Sequence, residues 1–329
     1  MQRILITGAN GQIGSELLPE LRRRYGEEQV VAAFHKRLPD RELLDSGPHC
    51  FVDVRDADKV RQIVREFRID SIFHLAALLS AVAEKHPQLA WDVNINGLLN
   101  VLETARSQCC AVFFPSSIGA FGPQTPAVDT PQDTIQRPTT IYGVSKVSGE
   151  LLCDYYQHRY GVDTRGVRFP GLISYRTPPG GGTTDYAVEI FHAALTEGRY
   201  QCFLRPDTRL DMMYMPDALQ AMLCLMEADA SRLRHRNASN ITAMSFTPEK
   251  IAAEIQKHLP DFSITYKVDP LRQAIADSWP QHMDDSCARQ EWGWRPDFDL
   301  PKMVQDMLEK LAQRSVSYTH LTLPTNAEV

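Results

Sequence analysis

The sequence predicts an α/β fold in which a doubly wound parallel sheet is joined to a smaller, interleaved C-terminal domain. Over residues 1–170, short apolar runs alternate with periodic, charge-bearing stretches, which is the pattern of successive βαβ units. A glycine-rich turn directly follows the first apolar run. After Pro170 the alternation stops, and a segment rich in Pro, Gly and Thr follows. The chain therefore changes character at this point.

The apolar runs predict strands at residues 4–7, 30–34, 51–54, 71–76, 112–115 and 164–169. The periodic stretches predict helices at 56–67, 89–108 and 142–160. Right-handed crossovers place the carboxyl ends of parallel strands along one edge of the sheet. We expect a ligand to bind at that edge.

The C-terminal half is predicted to interleave with the sheet. We expect a loop at 177–184, a helix at 185–196, a strand at 210–215 and a helix at 216–228. Thr247 opens a further helix that ends near residue 258. The predicted cofactor-binding domain is 1–170 with a returning segment at about 208–235. Residues 171–207 and 236–313 form the predicted substrate-binding domain, and 314–329 form a predicted disordered tail.

Composition limits the partners and the location. The 329 residues carry a net charge of −6, which argues against nucleic acid as the main partner. No apolar run of about 18 residues indicates a membrane span. The seven cysteines include the adjacent Cys109 and Cys110 and predict free thiols in a reducing compartment, the cytoplasm. The histidines show no H-x-x-x-H or Cys/His spacing, so no metal site is expected.

The first turn reads TGANGQIG over residues 7–14, with the spacing G-x-x-G-x-x-G on Gly8, Gly11 and Gly14. Glycine permits a tight turn and lets the backbone approach a pyrophosphate, while the following helix start faces the anion. At the head of a βαβ series, this motif predicts dinucleotide binding. The alternative is a glycine-rich turn without a ligand.

The end of the second strand leaves the choice of cofactor open. An acid there favours NAD, whereas basic residues favour the 2′-phosphate of NADP. The sequence reads Phe34, His35, Lys36 and Arg37, with no acid. NAD is expected, with NADP also accepted, unless the basic triplet is only a solvated loop. Asp53, at the end of the third strand, is expected to contact the adenine amino group.

Tyr142 and Lys146 lie four residues apart and therefore share one face of a helix. A phenol has a pKa of about 10 and is a poor base near neutrality. A nearby lysine cation favours the phenolate, which can then take a proton from an alcohol. Ser117, at the end of an apolar strand, can orient that alcohol. Alone, the Tyr–Lys pair is also typical of an ordinary helix surface.

Together, the glycine motif, Ser117, Tyr142, Lys146 and Asn94 are similar to the pattern of the extended short-chain dehydrogenase/reductase superfamily, whose members have a Rossmann fold. Ser117 is preferred to Ser116 because it aligns with the catalytic serine of that superfamily. The resemblance implies a set of cofactor contacts: Gly8, Asn10, Gly11, Gln12, Ile13, Gly14, His35, Lys36, Asp53, Val54, Leu75, Ala76, Ala77, Asn94, Tyr142, Lys146 and Pro170.

Longer stretches resemble the epimerase-like L-threonine 3-dehydrogenases. They are AALLSA at 76–81, FPGLIS at 169–174, TPPGGGTTDYA at 177–187, MMYM at 212–215, AMSFT at 243–247 and AIADSWP at 274–280. The resemblance covers about residues 1–313. It implies oxidation of the L-threonine β-hydroxyl to L-2-amino-3-ketobutyrate with NAD. It also implies a homodimer formed through the helices at 89–108 and 142–160.

The same resemblance places Ser80, Ser117, Tyr142, Thr183 and Asp185 at the substrate. Threonine is a zwitterion, so its site needs donors for a carboxylate and an acceptor for an ammonium. Ser80 and Thr183 can donate, and Asp185 can pair with the ammonium. The alternative for Thr183 and Asp185 is a helix N-cap.

Two other functions remain open from the sequence. A nucleotide-sugar 4-epimerase or dehydratase on the same scaffold would need a larger, more basic pocket. A non-catalytic NAD(P)-binding regulatory protein would have no need for an activated phenol. Asp217 is expected to start a helix rather than to take part in catalysis.

Overall fold

The structure, a computed structural model, describes residues 1–36, 38–39, 41–178 and 182–321. Its strands, numbered β1 to β12, are Ile4–Thr7, Val30–Phe34, His49–Phe51, Ser71–His74, Ala111–Ser117, Thr164–Phe169, Gly171–Ile173, Arg199–Cys202, Leu210–Tyr214, Ser239–Asn240, Met244–Phe246 and Ser263–Tyr266. Its α-helices, numbered α1 to α13, are Gly14–Tyr25, Arg41–Asp45, Ala57–Glu66, Ser80–Lys85, Pro87–Trp91, Gly97–Gln108, Ile141–Tyr160, Tyr186–Thr196, Met215–Glu227, Pro248–Gln256, Pro270–Asp277, Ser286–Trp292 and Leu300–Leu321.

The main sheet has seven strands in the order β10-β6-β5-β4-β1-β2-β3, and every neighbouring pair is parallel. From β1, the chain goes outward through β2 and β3, and then returns to the other side of β1 through β4. Strand order therefore reverses between β1 and β4. In open α/β sheets, ligands bind at the carboxyl ends of the strands that flank such a reversal.

Both faces of the sheet are covered by apolar helix surfaces. Leucines of α1 and residues of α9 pack on one face. Apolar side chains of α3, α6 and α7 pack on the other. The predicted α/β fold with a doubly wound sheet is confirmed.

A second core is formed by the smaller part of the structure. It contains β11, β9 and β7 as a three-stranded sheet and the parallel pair β12 and β8. Apolar side chains of α8, α10 and α13 fill it. Because β7 follows β6 after one residue, this second core begins directly beside the carboxyl edge of the main sheet.

The domain boundaries expected from the sequence change at two places. Residues 239–240 fall in the predicted substrate domain, yet they add a parallel strand to β6 in the main sheet. Arg168 Nη1 donates to Asn240 Oδ1 over 3.1 Å, which holds this short strand in place. The backbone of 315–321 continues α13, where a disordered tail is predicted. The rest of that tail, 322–329, lies outside the described residues.

The predicted helix at 89–108 is also not continuous. A π-helical turn, Asp92–Asn96, separates α5 from α6. The third strand ends at Phe51, three residues before the predicted end, and β5 continues to Ser117. Within the parts of the chain that the structure describes, no helix is long and apolar enough to cross a membrane.

Candidate active site

The turn between β1 and α1 brings two backbone segments closer than a side chain allows. Gly8 has a φ of +69°, and a Cβ there would lie 2.8 Å from the backbone nitrogen of Ala76. A Cβ at Gly14 would lie 2.4 Å from the carbonyl oxygen of Gly8. Among the described residues, no side chain caps the start of α1. The N–H groups of Ser15 and Glu16 already donate to the carbonyls of Gly11 and Ile13. A bound pyrophosphate would therefore be met by the turn that precedes them and by the positive end of the helix dipole.

A cavity of about 380 Å³ lies beside this turn, at the carboxyl ends of β1 to β4. It is lined by many of the residues expected to contact a cofactor: Gly8, Asn10, Gly11, His35, Lys36, Asp53, Val54, Leu75, Ala76 and Ala77. The other expected contacts in the described part of the chain lie outside its lining: Gln12, Ile13, Gly14, Asn94, Tyr142, Lys146 and Pro170.

An ion-pair network includes three residues of the cavity lining, His35, Asp53 and Arg55. Arg55 Nη2 lies 2.6 Å from Asp53 Oδ2, and its Nη1 lies 3.1 Å from Asp92 Oδ2. His35 Nε2 lies 3.4 Å from Asp53 Oδ2. The hydrogen bonds from Arg55 lower the pKa of Asp53 to about 2, so this carboxylate is ionised. Arg55 also lines the cavity, although the sequence did not predict it as a site residue. Its position two residues after Asp53 could have indicated this location.

Ser117 and Tyr142 meet at the carboxyl end of β5. Thr140 caps α7 by accepting from Gly143 N–H over 3.0 Å, which places Tyr142 in the first turn of the helix. Both side chains lie beside Gly119: a Cβ there would be 3.3 Å from the Tyr142 ring and 3.5 Å from Ser117 Oγ. Ser117 Oγ also accepts from Gly119 N–H over 3.1 Å, so its orientation is fixed by the backbone.

Lys146 is buried below this pair. Its Nζ donates to the carbonyl of Pro115 over 2.6 Å and lies 5.4 Å from the centroid of the Tyr142 ring. Burial raises the pKa of Tyr142 to about 12, against a smaller lowering by the Ser117 hydrogen bond. Burial also lowers the pKa of Lys146 to about 8, against the Glu150 carboxylate. The expected activation of the phenol by lysine is thus opposed by desolvation of both groups.

Asn94 holds two elements of the site together. Its Oδ1 accepts from Leu78 N–H over 2.8 Å, and its Nδ2 donates to the Leu78 carbonyl over 3.1 Å. The same Nδ2 donates to Ser145 Oγ over 3.2 Å. Asn94 thereby ties the segment after β4 to α7. The π-helical turn supplies this side chain, which a regular helix over 89–108 would present differently.

Glu150 and Arg168 form a buried pair that the sequence analysis missed. Arg168 contacts both carboxylate oxygens, with its Nη2 2.9 Å from Oε2 and its Nε 3.1 Å from Oε1. Ser116 and Gln136 also donate to this carboxylate. Glu150 lies four residues after Lys146 on the same helix face, so the i, i+4 spacing was the available signal.

The expected substrate residues lie on two separate segments. Ser80 begins α4, which is joined to the start of α7 because Glu84 Oε1 accepts from Ile141 N–H over 2.7 Å. Thr183 is buried. The Asp185 carboxylate accepts from Gly182 N–H over 2.7 Å, and within the described residues it makes no capping hydrogen bond to α8. Residues 179–181, in the middle of this loop, lie outside the described residues.

The segment after β7 also contacts the glycine-rich turn. The Ser174 hydroxyl donates to Glu16 in the first turn of α1, and Ser15 Oγ lies 3.3 Å from Thr177 Oγ1. Helix α1 and the segment that leads to Asp185 are therefore in direct contact.

The chain is similar to known proteins over most of its length. The profile of the NAD dependent epimerase/dehydratase family matches residues 4–241. The chain belongs to this family. An uncharacterised epimerase/dehydratase of Staphylococcus haemolyticus is 54% identical over 314 residues, which are 95% of this chain and 99% of that protein.

Two solved structures are similar over nearly the whole chain. The L-threonine dehydrogenase of Clostridium difficile is 57% identical, with a TM-score of 0.94, over 96% of this chain and 99% of that one. The GalE-like L-threonine dehydrogenase of Cupriavidus necator, in its holo form, is 51% identical, with a TM-score of 0.91. That comparison covers 94% of this chain and 99% of the other.

The close approach of the backbone at Gly8 predicts that one added methyl group weakens NAD binding. Gly8→Ala should lower NAD affinity about 100-fold or more, because its Cβ would push apart the backbone segments that meet at Ala76. Isothermal titration calorimetry measures this affinity. Gly161→Ala is the matched control, since Gly161 also has a φ of +69° but no atom near its Cβ position. In both variants the free energy of unfolding should fall by about 1–2 kcal/mol, because alanine is strained in the left-handed conformation that glycine adopts there. Equal NAD affinity in the two variants would contradict the role of the turn.

Proposed function

We propose that the protein is an NAD-dependent L-threonine 3-dehydrogenase that oxidises the β-hydroxyl of L-threonine to L-2-amino-3-ketobutyrate. The observation that carries the proposal is the contact of Ser117 with Tyr142 above the buried Lys146, next to a dinucleotide turn. The identity to the two threonine dehydrogenases supports the choice of substrate. The epimerase or dehydratase and the regulatory protein remain the alternatives, and turnover of L-threonine with NAD separates all three.

In this proposal Ser117 orients the substrate hydroxyl and Tyr142 removes its proton. Bound NAD supplies the acceptor for the hydride that leaves the β-carbon. Lys146 keeps a positive charge close to the Tyr142 ring and thereby offsets the cost of forming a buried phenolate. Its hydrogen bond to Pro115 fixes its position. Asn94 and the Glu150–Arg168 pair hold α7, and with it Tyr142 and Lys146, against the sheet.

Tyr142→Phe should lower kcat about 100- to 10,000-fold, because general-base catalysis contributes on that scale. NAD affinity should stay near that of the wild type, since the aromatic ring remains. Stopped-flow or steady-state assays of L-threonine oxidation, together with calorimetry for NAD, check both expectations. A wild-type rate in this variant would exclude Tyr142 as the base.

The pH dependence of kcat/KM is determined by Tyr142 and Lys146 and can be measured in the same assays of L-threonine oxidation. Because burial raises the pKa of Tyr142, kcat/KM should rise as pH increases and the phenolate forms. In Lys146→Met the rise should move to higher pH, because the neighbouring cation that favours the phenolate is removed. A profile that does not move would exclude an electrostatic role for Lys146.

We also propose that Ser80, Thr183 and Asp185 hold the substrate, with Asp185 pairing with the ammonium group. Asp185→Asn preserves an acceptor for Gly182 N–H but removes the charge. It should raise the KM for threonine at least tenfold, or about 1.4 kcal/mol, with little change in the KM for NAD. The control is Asp56→Asn, at a position that caps α3 by accepting from Lys59 N–H. An unchanged KM for threonine in Asp185→Asn would rule out the ammonium contact.

NAD is the expected working cofactor, and we propose that discrimination against NADP is weak. Lys36 lies at the cavity edge, whereas Arg55 is already bound to two carboxylates. One well-oriented contact to a 2′-phosphate contributes about 1.5–3 kcal/mol, and an exposed one much less. The ratio of kcat/KM for NAD and NADP should therefore stay below about a thousandfold, or about 4 kcal/mol.

Lys36→Ala/Arg37→Ala should raise that preference for NAD, although Arg37 itself lies outside the described residues. Arg41→Ala is the control, because it removes an exposed positive charge slightly further along the chain. A wild-type ratio above a thousandfold would mean that the basic triplet is only a solvated loop.

We propose a homodimer formed through α5, α6 and α7. These helices expose apolar side chains: Leu89, Trp91, Leu99, Val144, Leu151 and Tyr155. Leu151→Glu should shift the protein to a monomer in sedimentation velocity. Leu271→Glu, at a leucine that is also exposed but lies on α11, should leave the dimer intact. A wild-type monomer at micromolar concentration would refute the proposal.

The seven cysteines are all free, and on that ground we place the protein in the cytoplasm.

A further inference from the structure

Outside the active site, the structure brings together a histidine, a cysteine and a glutamate. His235 precedes β10, while Cys287 and Glu291 lie on α12. One nitrogen, sulfur or oxygen atom from each of the three lies within 4.8 Å of the others. We call these residues the His235 cluster. Among the described residues, no other group of three such side chains meets the same distance.

The cluster is held by the backbone around it. Glu291 Oε2 accepts from the N–H groups of Arg234 and His235, over 2.7 and 2.9 Å. The other oxygen, Oε1, lies 2.5 Å from His235 Nδ1. Cys287 precedes Glu291 by four residues, so both side chains lie on the same face of α12. One face of a helix is therefore directed at one imidazole ring.

Negative charge is concentrated around the thiol. Asp133 Oδ2 lies 3.5 Å from His235 Nε2, on the side of the ring opposite Glu291. The carboxylates of Glu291, Asp284 and Asp133 add to the effect of burial and raise the pKa of Cys287. Two neighbouring arginines are directed to other partners: Arg236 contacts Asp163, and Arg232 donates to the Gln290 carbonyl. A cation bound within the cluster would face this excess of acceptor groups.

We propose that His235, Cys287 and Glu291 bind a divalent transition metal ion, with Zn²⁺ as the ion that fits this donor set best. Zn²⁺ accepts imidazole, thiolate and carboxylate ligands in tetrahedral geometry. Bond lengths of about 2.0–2.3 Å place neighbouring ligand atoms about 3.3–3.7 Å apart. The three donors need adjustments of only about 1 Å to reach that spacing. A water molecule completes the tetrahedron, while Asp133 accepts a hydrogen bond from His235 Nε2 and orients the ring.

Metal binding here would connect two elements at the edge of the main sheet. His235 belongs to the segment that enters β10, the edge strand that pairs with β6. Cys287 and Glu291 belong to α12, whose residues Ala288 and Trp292 pack in the core beneath the sheet. The ion would stabilise the native state, because the unfolded chain does not hold these ligands together. It would take no part in the proposed hydride transfer.

Titration of the chelator-treated, full-length protein with Co²⁺ tests the site directly. We expect one equivalent to bind, with visible bands of tetrahedral Co²⁺ and a near-ultraviolet charge-transfer band from a thiolate–Co²⁺ bond. Zn²⁺ should displace the Co²⁺ and raise Tm, whereas Mg²⁺ should do neither. Cys287→Ser should lose the charge-transfer band. Cys224→Ser, which removes another half-buried thiol on α9, should keep it.

His235→Ala and Glu291→Gln should each weaken Zn²⁺ binding about 100-fold or more, since changes at the partners of metal ligands already cost about 10- to 100-fold. His282→Ala is the matched control, because His282 also pairs with a carboxylate but, among the described residues, belongs to no group of three potential metal ligands. Circular dichroism without metal verifies that each variant folds. If Cys287→Ser does not fold, His235→Ala decides the result. The proposal is overturned if wild-type protein shows no thiolate–Co²⁺ band or if Cys287→Ser retains it.

Discussion

The close packing of α7 on β5 is the constraint on which the active site depends. A Cβ at Gly149 would lie 2.3 Å from the ring of Phe114, and one at Gly143 would lie 2.2 Å from the carbonyl of Gly119. The helix can therefore approach the strand only because these positions carry no side chain. This approach lets Lys146 reach the Pro115 carbonyl and brings Tyr142 to Ser117. Larger residues here would separate Tyr142, the proposed base, from Ser117, which we propose orients the substrate.

Burial of Tyr142 and Lys146 fixes their positions, but it also has an electrostatic cost. Burial raises the pKa of Tyr142 and lowers that of Lys146, so it shifts both groups towards their neutral forms. A catalytic phenolate must be stabilised by charges that are themselves partly desolvated. Glu150 opposes the loss of charge on Lys146, but Arg168 largely neutralises that carboxylate. If Tyr142 is the base, the balance among these four ionisable groups, rather than the lysine alone, sets the pH at which it can act.

The sequence predicts the parallel sheet well because its strands are short apolar runs between strongly periodic helices. It predicts much of the cofactor cavity for a related reason, since the lining follows directly after strands β1 to β4. The sequence does not reveal features that depend on distant residues. The strand at 239–240 is too short to show a pattern, and it exists because it pairs with β6. His235 and Cys287 are far apart in the chain, so no local spacing shows their contact.

The late position of β10 has a consequence for synthesis on the ribosome. Strand β6 lies beside β10 in the sheet, yet β10 leaves the ribosome about 70 residues later. The same applies to α9, which covers one face of strands that are synthesised much earlier. Until both have emerged, the nascent chain exposes an open strand edge and an uncovered apolar surface, which favour aggregation. The first half of the chain therefore cannot complete its sheet and its core until about residue 240 has emerged.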